Sequence, residues 1–128
     1  MQSPTKIRDF VFPLRGPSED QLPPTHPLPV DTTIVGAELE RNGVCVRLRG
    51  GLVPWTSDGG PHAWFSPTAV GPSFLNGTDV PGEALYRYPN NQCARLVWCH
   101  DHAIGITRLN AYAGIASDYI TGDDVETS

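Results

Sequence analysis

The sequence has almost no lysine and no long apolar run. Lys6 is its one lysine, and 9 Lys and Arg residues stand against 14 Asp and Glu residues, which gives a formal net charge of −5. Because nucleic-acid binding depends on clustered basic side chains, this balance excludes a phosphate-backbone partner. No apolar run reaches the roughly 18–20 residues that cross a bilayer, so we expect no membrane association.

Cysteine is also scarce. Cys45, Cys93 and Cys99 make an odd number of thiols, which fits a reducing compartment better than a disulfide framework. The opening residues from Met1 to Lys6 lack the basic-then-apolar order of a secretory signal. We therefore expect a cytoplasmic protein.

Proline and glycine, by contrast, are abundant. Each occurs 13 times in 128 residues, a frequency typical of many turns between short strands. The length fits one core and therefore one domain. We divide the chain into a proline-rich N-terminal arm (1–21), a single domain (22–122) and an acidic flexible tail (123–128).

Alternating apolar residues predict an all-β domain, a sandwich or barrel. In the clearest segment, Val44, Val46 and Leu48 point to one face, and Arg47 and Arg49 point to the other. Further strands are expected over 7–14, 31–40, 83–88, 93–102 and 114–121, with a turn at Asn42-Gly43 and a short helix over 103–112. The loop from 52 to 83 is long enough to indicate a functional role.

The sharpest chemical signal is the run Trp98-Cys99-His100-Asp101-His102. Two imidazoles at i and i+2 near a strand end project the same way and can ligate one metal ion or two adjacent ions. Taken alone, His-x-His is a weak motif, and a solvated or hydrogen-bonded pair is the more common outcome.

The residues around this pair resemble one family. The stretch WCHDHAIGITRLNAYAGIASDYI is similar to the segment WYHDHAxxxTRLNxYAGLxGxYxI of multicopper oxidases, in the branch of spore-coat laccases, bilirubin oxidase-like enzymes and phenoxazinone synthase. Upstream, LPPTHPLPVDTTI, RGGLVPWTSDGGPHAWFS, VGPSF and YRYPNNQ resemble further family segments in the same order. The resemblance spans about residues 22–121.

This resemblance implies a cupredoxin-like Greek-key β-barrel or sandwich that corresponds to part of the first domain of a three-domain enzyme. It also implies that His100 and His102 match ligands of a copper cluster that reduces O₂. Most of the family's strands before residue 22 have no counterpart in the sequence. Because His100 and His102 match copper ligands but the ligand set is incomplete, the expected cofactor is either copper or none.

The departures from the family pattern are informative. The family's first ligand loop reads His-x-His-Gly-Gly, but here Arg47 and Arg49 replace both histidines. A guanidinium has no free lone pair and repels a cation, so it does not ligate copper. The remaining ligand loops belong to the family's last domain. We expect no self-sufficient four-electron oxidase.

Several other residues are candidates for the site. His62 stands where the family has Glu and is either a third metal ligand or an exposed loop residue. Arg47 and Arg49 either clamp an anion or pair with acids such as Asp58 or Asp101. Trp55 and Trp64 are candidates to line a ligand pocket, although core packing is the stronger expectation for Trp64.

Three functions follow from these residues. The favoured hypothesis is a metal-free derivative that binds or converts a small organic metabolite in the former copper cavity, as a cyclase- or isomerase-type biosynthetic enzyme. Arg47, Arg49, Trp55 and Trp64 would hold the molecule, and His100, His62 or Asp58 would act as acid or base. The alternatives are a small copper oxidase of phenols or aminophenols and a non-catalytic subunit. The incomplete sheet also predicts a homo-oligomer, either a dimer or a trimer.

Overall fold

A computed structural model describes residues 8–13, 26–37 and 43–122 of the chain. Five strands and one short helix make up its regular structure. In chain order they are β1 (Arg8–Pro13), β2 (Val46–Arg49), β3 (Glu83–Tyr88), β4 (Arg95–Asp101), α1 (Thr107–Tyr112) and β5 (Ala116–Thr121). This composition confirms the all-β fold class. No helix in the described ranges has the length and apolar character of a membrane span.

The strands form two antiparallel sheets. One sheet pairs β1 with β3, and the other has the order β2-β4-β5, with β4 in the middle. In the three-stranded sheet, Arg47 of β2 pairs with His100 of β4, and Arg49 of β2 pairs with Trp98 of β4. Trp98 in turn pairs with Asp118 of β5. Since directly paired residues share a face, this register places the arginines and His100 on one face of the sheet.

The opposite face of the three-stranded sheet packs on β3. Their common core contains Val44, Val46, Leu48, Phe65, Ala84, Tyr86, Tyr88 and Val97. The hydroxyl oxygen of Tyr86 accepts a hydrogen bond from the backbone N–H of Val46 at 3.1 Å, which joins the two sheets directly. The alternation of Val44, Val46 and Leu48 therefore predicted the core face of β2 correctly.

One part of the predicted secondary structure is wrong. Residues 31–37 form turns rather than a strand, because the Asp31 carboxylate accepts hydrogen bonds from the backbone and hydroxyl of Thr33. Gly36 also adopts a positive φ of 98° against the backbone of Ile104, a conformation that interrupts a strand.

The predicted strand over the apolar patch of the N-terminal arm is present as β1. The rest of the arm, the tail 123–128, positions 38–40 of the predicted strand over 31–40, and Asn42 of the predicted turn lie outside the described residues.

The loop between β2 and β3 is held close to β2 near the site. Its 3₁₀ turn, Trp55–Ser57, packs on β3, where the Ser57 hydroxyl accepts a hydrogen bond from the backbone of Arg87 at 2.9 Å. Gly59 follows with a φ of +70°, and a Cβ there would lie 2.4 Å from the carbonyl oxygen of Val46. Only glycine allows this approach, which brings Asp58 alongside β2.

Candidate functional site

The paired histidines lie at the end of β4, beside β2. His100 is 7% exposed and directly opposite Arg47 in the sheet. His102 follows the strand, and its backbone N–H donates to the carbonyl oxygen of Cys45 at 2.7 Å. The two imidazole centroids lie 5.7 Å apart. The structure therefore brings together the two residues that the sequence motif indicated.

The guanidinium of Arg49 contacts both imidazoles. Its Nε–H donates to Nε2 of His100 at 3.0 Å, and its Nη2 lies 3.1 Å from Nε2 of His102. An arginine side chain only donates hydrogen bonds, so both Nε2 atoms act as acceptors. In each ring, Nε2 is therefore the nitrogen that carries no proton in this arrangement.

The second nitrogen of each ring lies in a different environment. Nδ1 of His100 donates to the backbone oxygen of Asp101, so neither nitrogen of this ring is free. Nδ1 of His102 is buried without a hydrogen-bond partner in the described ranges. Burial first, and then the charges of Arg47 and Arg49, hold the pKa of His102 below its ordinary value. The surroundings of His102 thus favour its neutral form.

Asp101 ties the histidine segment to β2. Its carboxylate is fully buried and accepts hydrogen bonds from the backbone N–H groups of Cys45 at 2.8 Å and Ala103 at 3.2 Å. Burial raises the pKa of Asp101, and these hydrogen bonds oppose the rise. The middle residue of the His-Asp-His motif therefore positions the histidines and does not pair with an arginine.

The two arginines have different partners. Arg47 forms an ion pair with Asp58 at 3.5 Å, as one of the two sequence hypotheses predicted. In the described segments, by contrast, no carboxylate lies within ion-pair distance of Arg49. Its hydrogen-bond partners in these segments are the two imidazoles, so no described carboxylate balances the positive charge of Arg49. The predicted two-arginine clamp is thus reduced to one available guanidinium.

Three other predicted site residues belong to the loop between β2 and β3. His62 is exposed in the loop that follows Gly60, and no group of three or more potential metal ligands includes it in the part of the chain that is described. Trp64 is 6% exposed and packs in a second core cluster with Cys45, Ala103 and Ile106. Trp55 is 76% exposed on the 3₁₀ turn that contacts β3.

Trp98 belongs to the site, although the sequence reasoning assigned it no role. Its ring stacks on His100 with centroids 4.5 Å apart, and it is 49% exposed beside Arg49 in the sheet register. Strand alternation already placed Trp98 on the face of His100, so the signal was present. The half-exposed indole gives the site an aromatic surface next to the guanidinium of Arg49.

The residues present do not fit a copper ion between the histidines. The nitrogen lone pairs that would hold the ion both point at the guanidinium of Arg49, which is itself a cation. The described residues also offer no group of three or more His, Cys, Asp or Glu side chains that would hold a metal. We therefore assign no copper chemistry to this arrangement.

A shallow depression lies away from the histidines. It is found beside the other face of the sheet, where it is lined by residues that include Leu48, Val53, Tyr88 and Gln92. The depression contains none of the predicted site residues. Arg49 and Trp98 lie on the opposite face of the sheet from this depression.

The chain is similar to known oxidases. No protein-family model matches it. It is 39% identical over 142 aligned positions to a laccase from Bacillus stratosphericus, which covers 98% of the chain and 26% of the laccase. It is 41% identical over 113 residues to a laccase from Bacillus subtilis (strain 168), with 84% and 21% covered.

A plant protein gives a similar result. The multicopper oxidase LPR1 homolog 1 of Oryza sativa subsp. japonica is 39% identical over 112 residues, with 84% of the chain and 18% of the plant protein covered. The chain thus spans about a quarter or less of the length of these relatives.

Proposed function

Because this chain is related to the multicopper oxidase family over most of its length, we propose that it is a metal-free member that binds a small aromatic anion. The observation that carries the proposal is the position of Arg49, whose charge is balanced by no carboxylate in the described ranges and whose side chain lies beside the half-exposed Trp98. A carboxylate or phenolate on an aromatic ring matches both groups at once.

Arg49 keeps hydrogen-bonding capacity for such a ligand. The imidazoles accept from two of the five N–H donors of the guanidinium, and no acceptor among the described residues takes the other three. Trp98 offers a ring face for offset stacking, an interaction that contributes about 0.5–1.5 kcal/mol beyond the burial of area. Arg47 is already paired with Asp58, so Arg49 supplies the charge that recognises the anion.

The same geometry favours binding over acid–base catalysis. Both nitrogens of His100 are engaged, Asp58 is paired with Arg47, and His62 is exposed in a separate loop. A general base needs a nitrogen or carboxylate within hydrogen-bond reach of the bound molecule. The catalytic roles proposed for these three residues therefore require a rearrangement that binding does not.

Titration with 4-hydroxybenzoate, followed by tryptophan fluorescence, tests the proposal. We expect saturable binding that Arg49→Gln weakens by about tenfold or more, because one charge-assisted hydrogen bond contributes roughly 1.5–3 kcal/mol. Arg108→Gln is the matched control, since Arg108 is an exposed arginine on α1. The affinity for propionate, which has a carboxylate but no ring, measures the contribution of charge. The affinity for neutral phenol measures the contribution of the ring. Equal affinities for the unmodified chain and Arg49→Gln would contradict the proposal.

A second candidate function is attachment to another protein surface. Leu96 and Ile120 lie opposite each other on the sheet face of Trp98 and are 64% and 76% exposed. Exposed apolar residues that adjoin one another mark interaction surfaces more often than isolated ones do. Since β5 is also an edge strand, a second copy of the chain is the occupant that we propose, in a dimer or trimer.

Light scattering coupled to size exclusion tests this assembly. We expect the mass of a dimer or trimer at micromolar concentration and a monomer for Ile120→Glu, because a charge on this face carries a desolvation cost in the interface. Leu75→Glu is the control, since Leu75 is a 62% exposed apolar residue in the loop before β3. A monomer for the unmodified chain excludes the oligomer.

A further inference from the structure

Arg49 lies at the point where the two imidazoles converge. Its Nε and Nη2 atoms belong to one planar group, and each contacts the Nε2 atom of a different histidine, at 3.0 Å and 3.1 Å. The two ring nitrogens therefore share one small volume, and the guanidinium fills it. No other described side chain makes hydrogen bonds to these two atoms.

The hydrogen bonds also fix which nitrogens carry protons. His100 donates from Nδ1 to the carbonyl oxygen of Asp101, so its Nε2 carries the lone pair that accepts from Nε–H of Arg49. His102 accepts from Nη2 of Arg49 at its own Nε2, which requires a lone pair there as well. Two neutral imidazoles with converging lone pairs are the state that a metal ion requires of its ligands.

The separation of the rings is compatible with one shared ion. A metal about 2.0–2.1 Å from each ring nitrogen lies roughly 3.2 Å from each ring centroid, so two rings on one ion have centroids at most about 6.4 Å apart. The observed separation is 5.7 Å. The ring separation is therefore short enough for both histidines to reach one ion once the guanidinium is absent.

We propose that Arg49 is a built-in cation that closes the His100–His102 pair to divalent metals, and that a single substitution at position 49 opens a metal site there. Imidazole ligands suit Zn²⁺ and Cu²⁺. Arg49→His removes the positive charge and places a third imidazole on the same strand position. This inference concerns the side chain between the histidines and does not depend on the binding of an aromatic anion.

Equilibrium dialysis of untagged full-length protein against Zn²⁺, followed by elemental analysis, tests the proposal. We expect one tightly bound equivalent in Arg49→His, with an affinity about tenfold or more above that of the unmodified chain, because the repulsive charge is replaced by a ligand. Arg47→Ala is the matched control, since it removes the same charge but leaves Arg49 between the imidazoles. His102→Ala in the Arg49→His background loses the bound equivalent.

A second measurement addresses the unmodified chain directly. Long-range ¹H–¹⁵N spectra of the imidazoles are expected to show Nε2 unprotonated in both His100 and His102 at neutral pH, whether or not the variants fold. A proton on either Nε2 overturns the proposal. So does a stoichiometric metal ion bound to this pair with Arg49 in place, or a gain of metal binding in Arg47→Ala equal to that in Arg49→His.

Discussion

Replacing Asp101 by alanine is expected to lower the free energy of unfolding by about 2–5 kcal/mol, because it leaves two buried backbone donors without an acceptor and each costs roughly 1–3 kcal/mol. These donors are the N–H groups of Cys45 and Ala103, which bind the carboxylate at 2.8 Å and 3.2 Å. The side chain is fully buried, so water does not replace it. Urea denaturation followed by tryptophan fluorescence measures the change.

Two further variants make this test specific. Asp101→Asn retains one acceptor oxygen but places an amide N–H₂ group near a backbone donor, so its destabilisation should lie between that of alanine and zero. Asp118→Ala removes an exposed carboxylate from β5 and is expected to change the free energy of unfolding by no more than about 0.5 kcal/mol. Equal stability of Asp101→Ala and Asp118→Ala would show that Asp101 does not anchor the histidine segment.

Replacing Tyr86 by alanine should have an effect of similar size, a loss of about 3–5 kcal/mol, because truncation of a buried aromatic ring leaves a cavity in the core. Tyr86 is 2% exposed, stacks near Tyr88 with ring centroids 6.3 Å apart, and is among the largest fully buried side chains of the described residues. Its hydroxyl also joins β3 to β2 through the backbone of Val46.

The phenylalanine variant separates these two contributions. Tyr86→Phe keeps the ring but leaves the N–H of Val46 without an acceptor, at a cost of about 1–3 kcal/mol. Comparison of the denaturant midpoints of Tyr86→Phe and Tyr86→Ala thus measures packing and hydrogen bonding separately. If both variants lose the same stability, the hydroxyl contact accounts for the whole effect and the ring contributes no packing energy.

Local periodicity in the sequence was sufficient to predict most of the fold. The alternation around Val46 and Leu48, the run that ends in His100, and the short helical spacing before Tyr112 predicted β2, β4 and α1. The prediction failed at residues 31–37 because β-branched residues indicated a strand, whereas hydrogen bonds to Asp31 and the contact of Gly36 with Ile104 favour turns. Such a distant contact leaves no periodic signal in the sequence.

The site was predictable only in part, for a similar reason. Alternation placed Arg47 and Arg49 on one face, but it did not distinguish their partners. Asp58 reaches Arg47 because Gly59 lets the loop approach β2. Arg49 instead forms its hydrogen bonds with the two histidines. The roles of His26 and Asn110 were equally hidden. The His26 ring hydrogen-bonds to Asn110 from a segment far along the chain, and Asn110 in turn donates to Gly43.

The pairing of β1 with β3 also bears on how the protein folds. Arg8 lies opposite Tyr88 and Pro13 opposite Glu83, so this ladder closes across most of the described chain. Domains with such high contact order fold slowly, since the entropy of closing a long loop is lost before the new contacts compensate it. During synthesis on a ribosome, β1 emerges well before β3, so it cannot form this ladder until β3 has also been synthesised.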